Sequence, residues 1–496
     1  MGIKFNSFFR EELSVIDIQV ALEHGEITSK ELTMYYLHRI AKYDQDGQRI
    51  NSMLEINPEA IFIAEALDEE RRTKGARGPL HGIPVVLKDN IETKDFMHTS
   101  AGAIALENYV AGQDAFLVKK LREAGAVILG KANMTELANG MSSTMWAGYS
   151  SRAGQTLNPY GDPELYVGGS SSGSAVAVAS NFAVLSIGTE TDASILSPAI
   201  TNSVVGIKPT VGLISRQGII PFTYSQDTAG PMARTVTDAA ILLGVLTGVD
   251  KDDVATYKSE RRIQQDYSIF LDATGLKGAR IGVYTNASKT YYESEEYDET
   301  LFNNAIQVLR EQGAVINEDI EIPSFHRDWK RGVMLYELKH SLNNFLVNLP
   351  SHMPVNSISE LIQFNKRSRE KSLKYGQDKL ESIENLPNML RDSDYLNAKL
   401  EDLYFSQEQG IDYTLKKYEL DAIMFPSYIG STISAKAGYP SIAVPAGYME
   451  NGRPFGITFA GTAFSEDVLI KLAFAYEQAS KLRKAPKLYE DPTRLN

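Results

Sequence analysis

Short, uninterrupted apolar runs separated by helix-like stretches constrain this chain more than any other feature. Gly82-Ile83-Pro84-Val85-Val86-Leu87 and Ala126-Val127-Ile128-Leu129 lack the alternation of a half-exposed strand, so each reads as a strand buried on both faces. Residues 114–124 between them follow a helical pattern, and Gly125 supplies the turn. A helix followed by a buried strand is the α/β pattern. The same style continues at residues 278–284 and returns late, in Ala422-Ile423-Met424-Phe425, Ser441-Ile442-Ala443-Val444 and residues 456–460. Because early and late segments share it, one large domain over residues 1–496 is expected.

Within that domain, residues 1–75 read as a helical N-terminal part. Thr28 and Glu31 form a capping box ahead of an apolar face of Leu32, Tyr35, Tyr36 and Ile40. Residues 76–250 read as the core, 286–418 as a charged helical insertion or cap, and 419–496 as a return to the core, where Ser465 caps a last helix through Gln478. Residues 141–166 look like a long structured loop, a kind that usually carries function.

The net charge of −13 and the lack of a basic cluster argue against nucleic acid or an anionic membrane as a partner. The chain has no cysteine, which excludes disulfides, thiolate metal sites and a cysteine nucleophile. The start Met1-Gly2-Ile3-Lys4-Phe5-Asn6 has no signal-peptide run, and no apolar stretch is long enough to span a membrane. A cytoplasmic protein, monomeric or homodimeric, is expected. No His/Asp/Glu spacing suggests a metal, and no cofactor is expected.

The chemistry concentrates in Gly168-Gly169-Ser170-Ser171-Ser172-Gly173-Ser174, followed by a small-residue helix, a strand, and Gly188-Thr189-Glu190-Thr191-Asp192-Ala193-Ser194. A helix leading away and a strand leading back return Ser194 to the helix start, 24 positions after Ser170. There, outward-pointing N–H groups are available. Such donors stabilise the oxyanion of amide hydrolysis, and losing one costs about 3 kcal/mol. A serine nucleophile needs a base, and no histidine lies in this region. Lys88, at the mouth of the buried run 83–87, is the candidate, because burial lowers a lysine pKa from about 10.4 by several units. Asp89 opposes this, but strand alternation points it away.

These motifs resemble the amidase signature family. Lys208-Pro209-Thr210, Ser215-Arg216-Gln217-Gly218 and Asp227-Thr228-Ala229-Gly230-Pro231 extend the resemblance, which covers roughly residues 10–480 and is weakest over 285–415. It implies an α/β/α sandwich with a mixed, mostly parallel central sheet and a Ser–Ser–Lys triad. In that triad Lys88 is the base, Ser170 the relay after a cis peptide bond, and Ser194 the acyl-forming nucleophile. Thr191, Asp192 and Ala193 line the oxyanion and substrate site, with Asp227 and Trp146 in support. Glu190 and Asp192 match the peptide amidase branch. Ala193 stands where glycine is expected, and its Cβ restricts positive φ. Leu196 replaces a common arginine. Asp192 is expected to disfavour substrates with a free carboxylate near the scissile bond.

The implied activity is hydrolysis of carboxamides, either peptide C-terminal amides or small aryl and alkyl amides, to acid plus ammonia or amine. The rivals are a glutaminase-type subunit of an aminoacyl-tRNA amidotransferase and a catalytically impaired binding protein on the same scaffold. A G-x-S-x-G elbow with Ser171 as nucleophile is a further reading and needs His326, His340 or His352. Trp146 and Tyr149 could line the pocket. His81 and His98 read as core or surface polar residues.

Overall fold

The computed structural model describes residues 5–285, 298–329, 332–387 and 390–488. The first four residues of the amino terminus, residues 286–297 of the expected insertion and the last eight residues lie outside that set. The thirteen strands among the described residues are β1 (Met53–Ile56), β2 (Pro84–Lys88), β3 (Val127–Ala132), β4 (Tyr149–Ser150), β5 (Gly154–Gln155), β6 (Leu185–Glu190), β7 (Val205–Lys208), β8 (Thr228–Ala233), β9 (Arg280–Val283), β10 (Val315–Asn317), β11 (Ala422–Pro426), β12 (Ser441–Tyr448) and β13 (Pro454–Ala460). Eleven of them form one sheet in the order β1-β3-β2-β6-β8-β7-β12-β13-β11-β9-β10, and β4 and β5 form a separate hairpin inside the long loop.

The sheet is mixed, as expected. Parallel pairing sits in two blocks, β3-β2-β6 and β10-β9-β11, and the strands between them pair antiparallel. Both faces are covered. Along β11, Ala422 and Met424 join a core with helices Val236–Leu246, Glu299–Glu311 and Glu466–Ser480. Ile423 and Phe425 face the other way, onto Phe325, Trp329 and Ile433 of helix Ser431–Ala437. This two-sided burial is why the strands read as continuous apolar runs rather than alternating ones.

The capping box of Thr28 and Glu31 forms, opening helix Ser29–Arg39. Ser465 occupies the N-cap position of the last helix, but its hydroxyl bonds back to Thr462 O rather than to the helix. β8 has no strand pattern in the sequence because Gly230 and Pro231 break it, yet it runs between β6 and β7 with Pro231 opposite Ile187. Residues 298–317 depart from the expected insertion. Helix Glu299–Glu311 packs on the sheet core, and β10 extends the sheet edge beside β9. Helices Gly332–Val347, Ile358–Arg367 and Asp378–Glu384 form a separate apolar cluster with residues 101–141 and 220. No helix among the described residues is long and apolar enough to cross a membrane.

Candidate active site

Every residue of β2 is buried, including Lys88 at its end, which has no exposed surface. The amine lies 2.8 Å from Ser170 Oγ, 3.0 Å from Ser171 Oγ and 3.0 Å from Thr189 O. Burial pulls its pKa down to about 7, and the charges of Glu190 and Asp227 only partly oppose this. Asp89 turns away, as alternation requires. Its Oδ2 accepts the N–H groups of Ser100 and Gly102 at 3.2 and 2.9 Å, and its Oδ1 faces Arg152 at 3.5 Å. Lys88 forms no ion pair among the described residues.

The hydrogen bonds around the amine fix where its lone pair lies when Lys88 is neutral. A neutral lysine has two N–H donors and one acceptor site. Thr189 O can only accept. The Ser171 hydroxyl gives its own proton to Thr189 O at 3.0 Å and receives the Thr189 N–H at 3.2 Å. Its remaining capacity is therefore to accept from the amine. Ser170 is left as the hydroxyl that can donate to the lone pair of Lys88. Ser171 is fully buried and shares no hydrogen bond with His326, His340 or His352. The elbow reading therefore fails: Ser171 has neither access nor a histidine base.

The Gly/Ser run opens with Gly168 at φ 72° and a cis peptide between Gly169 and Ser170. Helix Ser172–Ala179 starts at once and packs so closely that a Cβ on Gly173 would collide with the carbonyl oxygens of Asn133 and Ser52. β6 then returns the chain, and the Ser171 N–H donates to Ser194 O at 3.1 Å. Ser170 and Ser194 line one cavity of about 700 Å³ together with Thr191, Asp192, Ala193 and Trp146. No side-chain hydrogen bond joins Ser170 to Ser194 among the described residues.

The turn before Ser194 is strained where the sequence departs from glycine: Ala193 is buried with φ 62°. The N–H groups of Ala193 and Ser194 have no protein acceptor among the described residues. Two carboxylates brace this turn. Asp227 accepts the Thr191 hydroxyl at 2.6 Å and the N–H groups of Phe222 and Thr223 at 2.7 and 2.8 Å. Glu190, expected only as a mark of the peptide amidase branch, accepts the N–H groups of Ile195 and Leu196 at 2.6 and 3.0 Å, at the start of helix Leu196–Thr201. Its signal was available, because a carboxylate just ahead of a helix start favours such capping.

Asp192 faces the cavity and accepts hydroxyl bonds from Ser431 and Thr432, at 3.1 and 2.9 Å. Those two residues carried no sequence signal. Trp146 is 41% exposed on the cavity wall, edge-on to Tyr166 at 6.0 Å. Tyr149 lies elsewhere, packed edge-on against Tyr375 at 4.9 Å. His81 is buried against Leu67 O at 2.8 Å, and His98 pairs with Glu55 at 2.9 Å. The outer cavity wall is Met334, Leu335 and Leu338 of helix Gly332–Val347, with Asp378, Lys379 and Ser382.

A family model described as amidase matches residues 31–470. The structure is similar to native peptide amidase from Stenotrophomonas maltophilia, at 42% identity and TM-score 0.90, covering 97% of this chain and 99% of that one. A probable amidase of Arabidopsis thaliana is 40% identical over 97% of this chain and 93% of its own length. A glutamyl-tRNA(Gln) amidotransferase subunit of Alkalilimnicola ehrlichii is 32% identical over 97% of this chain and all of its own length. With the motifs, the sheet and these full-length matches in agreement, the chain belongs to the amidase family and is an amide hydrolase acting on carbon–nitrogen bonds.

Proposed function

We propose that the chain removes the amide from short peptide C-termini and related neutral carboxamides, by way of an acyl ester on Ser194. The observation that carries this reading is a buried lysine with no ion pair among the described residues, its amine 2.8 Å from Ser170 Oγ. Neutral Lys88 draws the proton of Ser170, and Ser170 draws that of Ser194 as Ser194 attacks the carbonyl carbon. The oxyanion meets the N–H groups of the 191–194 turn. The proton then returns through Ser170 to the leaving nitrogen, ammonia departs, and water cleaves the ester by the same route in reverse.

Peptide amides are favoured by the peptide amidase among the relatives and by the size of the cavity, about 700 Å³ with an aromatic wall. The fixed carboxylate of Asp192 supports a preference for neutral substrates, since a free carboxylate beside the scissile bond would meet a like charge. The relatives of amidotransferase type support a second reading, a glutaminase component of a transamidating complex. Ammonia release from glutamine only in the presence of partner proteins would favour it. Action in the cytoplasm, as a monomer or homodimer without cofactor, completes the proposal.

The test is a rapid-mix assay with an activated ester and a peptide amide. The wild type gives a burst of acyl-enzyme, and Ser194→Ala gives none. A burst that survives Ser194→Ala removes Ser194 as the nucleophile. Asp192→Asn should narrow the preference for amide over acid-bearing substrates by about tenfold, the effect of one removed like charge. An unchanged preference sinks the role given to Asp192.

A further inference from the structure

The helices beyond the sheet do more than wall the cavity. Helix Gly332–Val347 carries Glu337, a carboxylate with no exposed surface, in a segment otherwise rich in apolar contacts. Glu337 Oε1 accepts bonds from Tyr395 Oη at 2.9 Å, Lys399 Nζ at 2.8 Å and Ser225 Oγ at 2.6 Å. Its Oε2 accepts the Ser225 N–H at 2.9 Å. Lys399 and Tyr395 already satisfy the charge within the helical segment. The second oxygen is committed to a loop of the core.

That loop reaches the turn before Ser194. Next to Ser225, the Gln226 side chain donates to Thr191 O at 3.1 Å, and Asp227 accepts the Thr191 hydroxyl at 2.6 Å. The Gln226 N–H is tied to Thr223 Oγ1 at 3.1 Å, and Ser341 of the same outer helix donates to Phe222 O at 2.8 Å. Residues 222–227 are thus held on one side by Glu337 and Ser341 and grip Thr191 with the other. Thr191 is the first residue of the turn whose N–H groups at 193 and 194 await an oxyanion.

We propose that Glu337 is a positioning residue: through Ser225, Gln226 and Asp227 it fixes the register of the 191–194 turn, so the helical segment contributes to turnover as well as to substrate binding. This rests on the reading of that turn as the oxyanion site. Oxyanion contacts form only in the transition state, so their misplacement lowers kcat and leaves KM nearly unchanged. Removal of a cavity wall would instead raise KM.

Glu337→Gln puts an amide NH2 against either Ser225 or the Lys399–Tyr395 pair, and kcat for a peptide amide is expected to fall about five- to tenfold with KM within about twofold. Ser225→Ala, a milder change should Glu337→Gln fail to fold, is expected to lower kcat about threefold, and Ser225→Thr, which keeps the hydroxyl, to restore it. Unchanged kcat in Ser225→Ala overturns the proposal, as does a loss confined to KM or a Ser225→Thr protein as slow as Ser225→Ala. Ser194→Ala in the same panel separates the two readings. If it stays active, the acyl-serine mechanism fails. If it is dead while Ser225→Ala turns over like wild type, only the link through Glu337 fails.

Discussion

The floor of the cavity is assembled from the Gly/Ser run before helix Ser172–Ala179 and the turn after β6, with Lys88 at the end of β2 buried beneath Ser170. Its outer wall comes from helix Gly332–Val347 and from Asp378, Lys379 and Ser382, far along the chain and off the sheet. The floor is built of buried polar groups with directed hydrogen bonds, and the face that helix Gly332–Val347 gives the wall is apolar: Met334, Leu335 and Leu338. Directed bonds fix the position of reacting atoms to fractions of an ångström, which chemistry requires. Apolar contact fixes only volume and shape, which suffices to select a substrate.

Changes to the floor should act on kcat, and the largest effect is expected there. Lys88→Ala should lower kcat about 10³-fold or more, since it removes the base and leaves both hydroxyls unactivated. The pH profile sharpens this. With a folded pKa of about 7, Lys88 is protonated and inactive below that value, so kcat/KM should rise with pH and level off above it. A flat profile from about pH 5 to 9 together with an active Lys88→Ala protein would refute the base assignment.

Changes to the wall should act on KM. Leu338→Ala, which opens the side of the cavity, is expected to raise KM for peptide amides about tenfold, on the order of the 1.5–3 kcal/mol that burying a leucine supplies. If kcat falls instead while KM holds, the division between floor and wall is wrong. The smallest effect falls on the backbone of the floor itself. Ala193→Gly removes a Cβ from a left-handed residue and should raise unfolding stability by about 1 kcal/mol, measured by urea titration. Equal stability in the two proteins would mean that the turn relaxes in solution to another backbone shape.

Much of the floor was legible in the chain. Burial on both faces leaves an unbroken apolar run, so β2 and the place of Lys88 at its end were readable. Small residues crowd where a helix must start against neighbouring backbone, which marked residues 168–174. The strand β8 was not legible, because Gly230 and Pro231 look like breakers until β6 and β7 are there to pair with the groups that remain. β10 was hidden inside a charged, helical stretch because three half-exposed edge residues carry little apolar pattern, and the apolar face of helix Glu299–Glu311 did not say that it packs on the sheet.

The sequence by itself determined the α/β class and the strand that carries Lys88, because local pattern records burial, and its motifs, through their resemblance to the amidase signature family, singled out the three side chains on which the proposed chemistry rests. Only the tertiary structure decided that the lone pair of a neutral Lys88 falls to Ser170 and not to Ser171. It alone set Glu190 and Asp227 as braces of the turn, and Glu337 as a tie between outer helix and core. Those outcomes depend on which donors and acceptors meet in space, and residues such as Ser225 and Glu337, 112 positions apart, leave no mark of that meeting in the order of the chain.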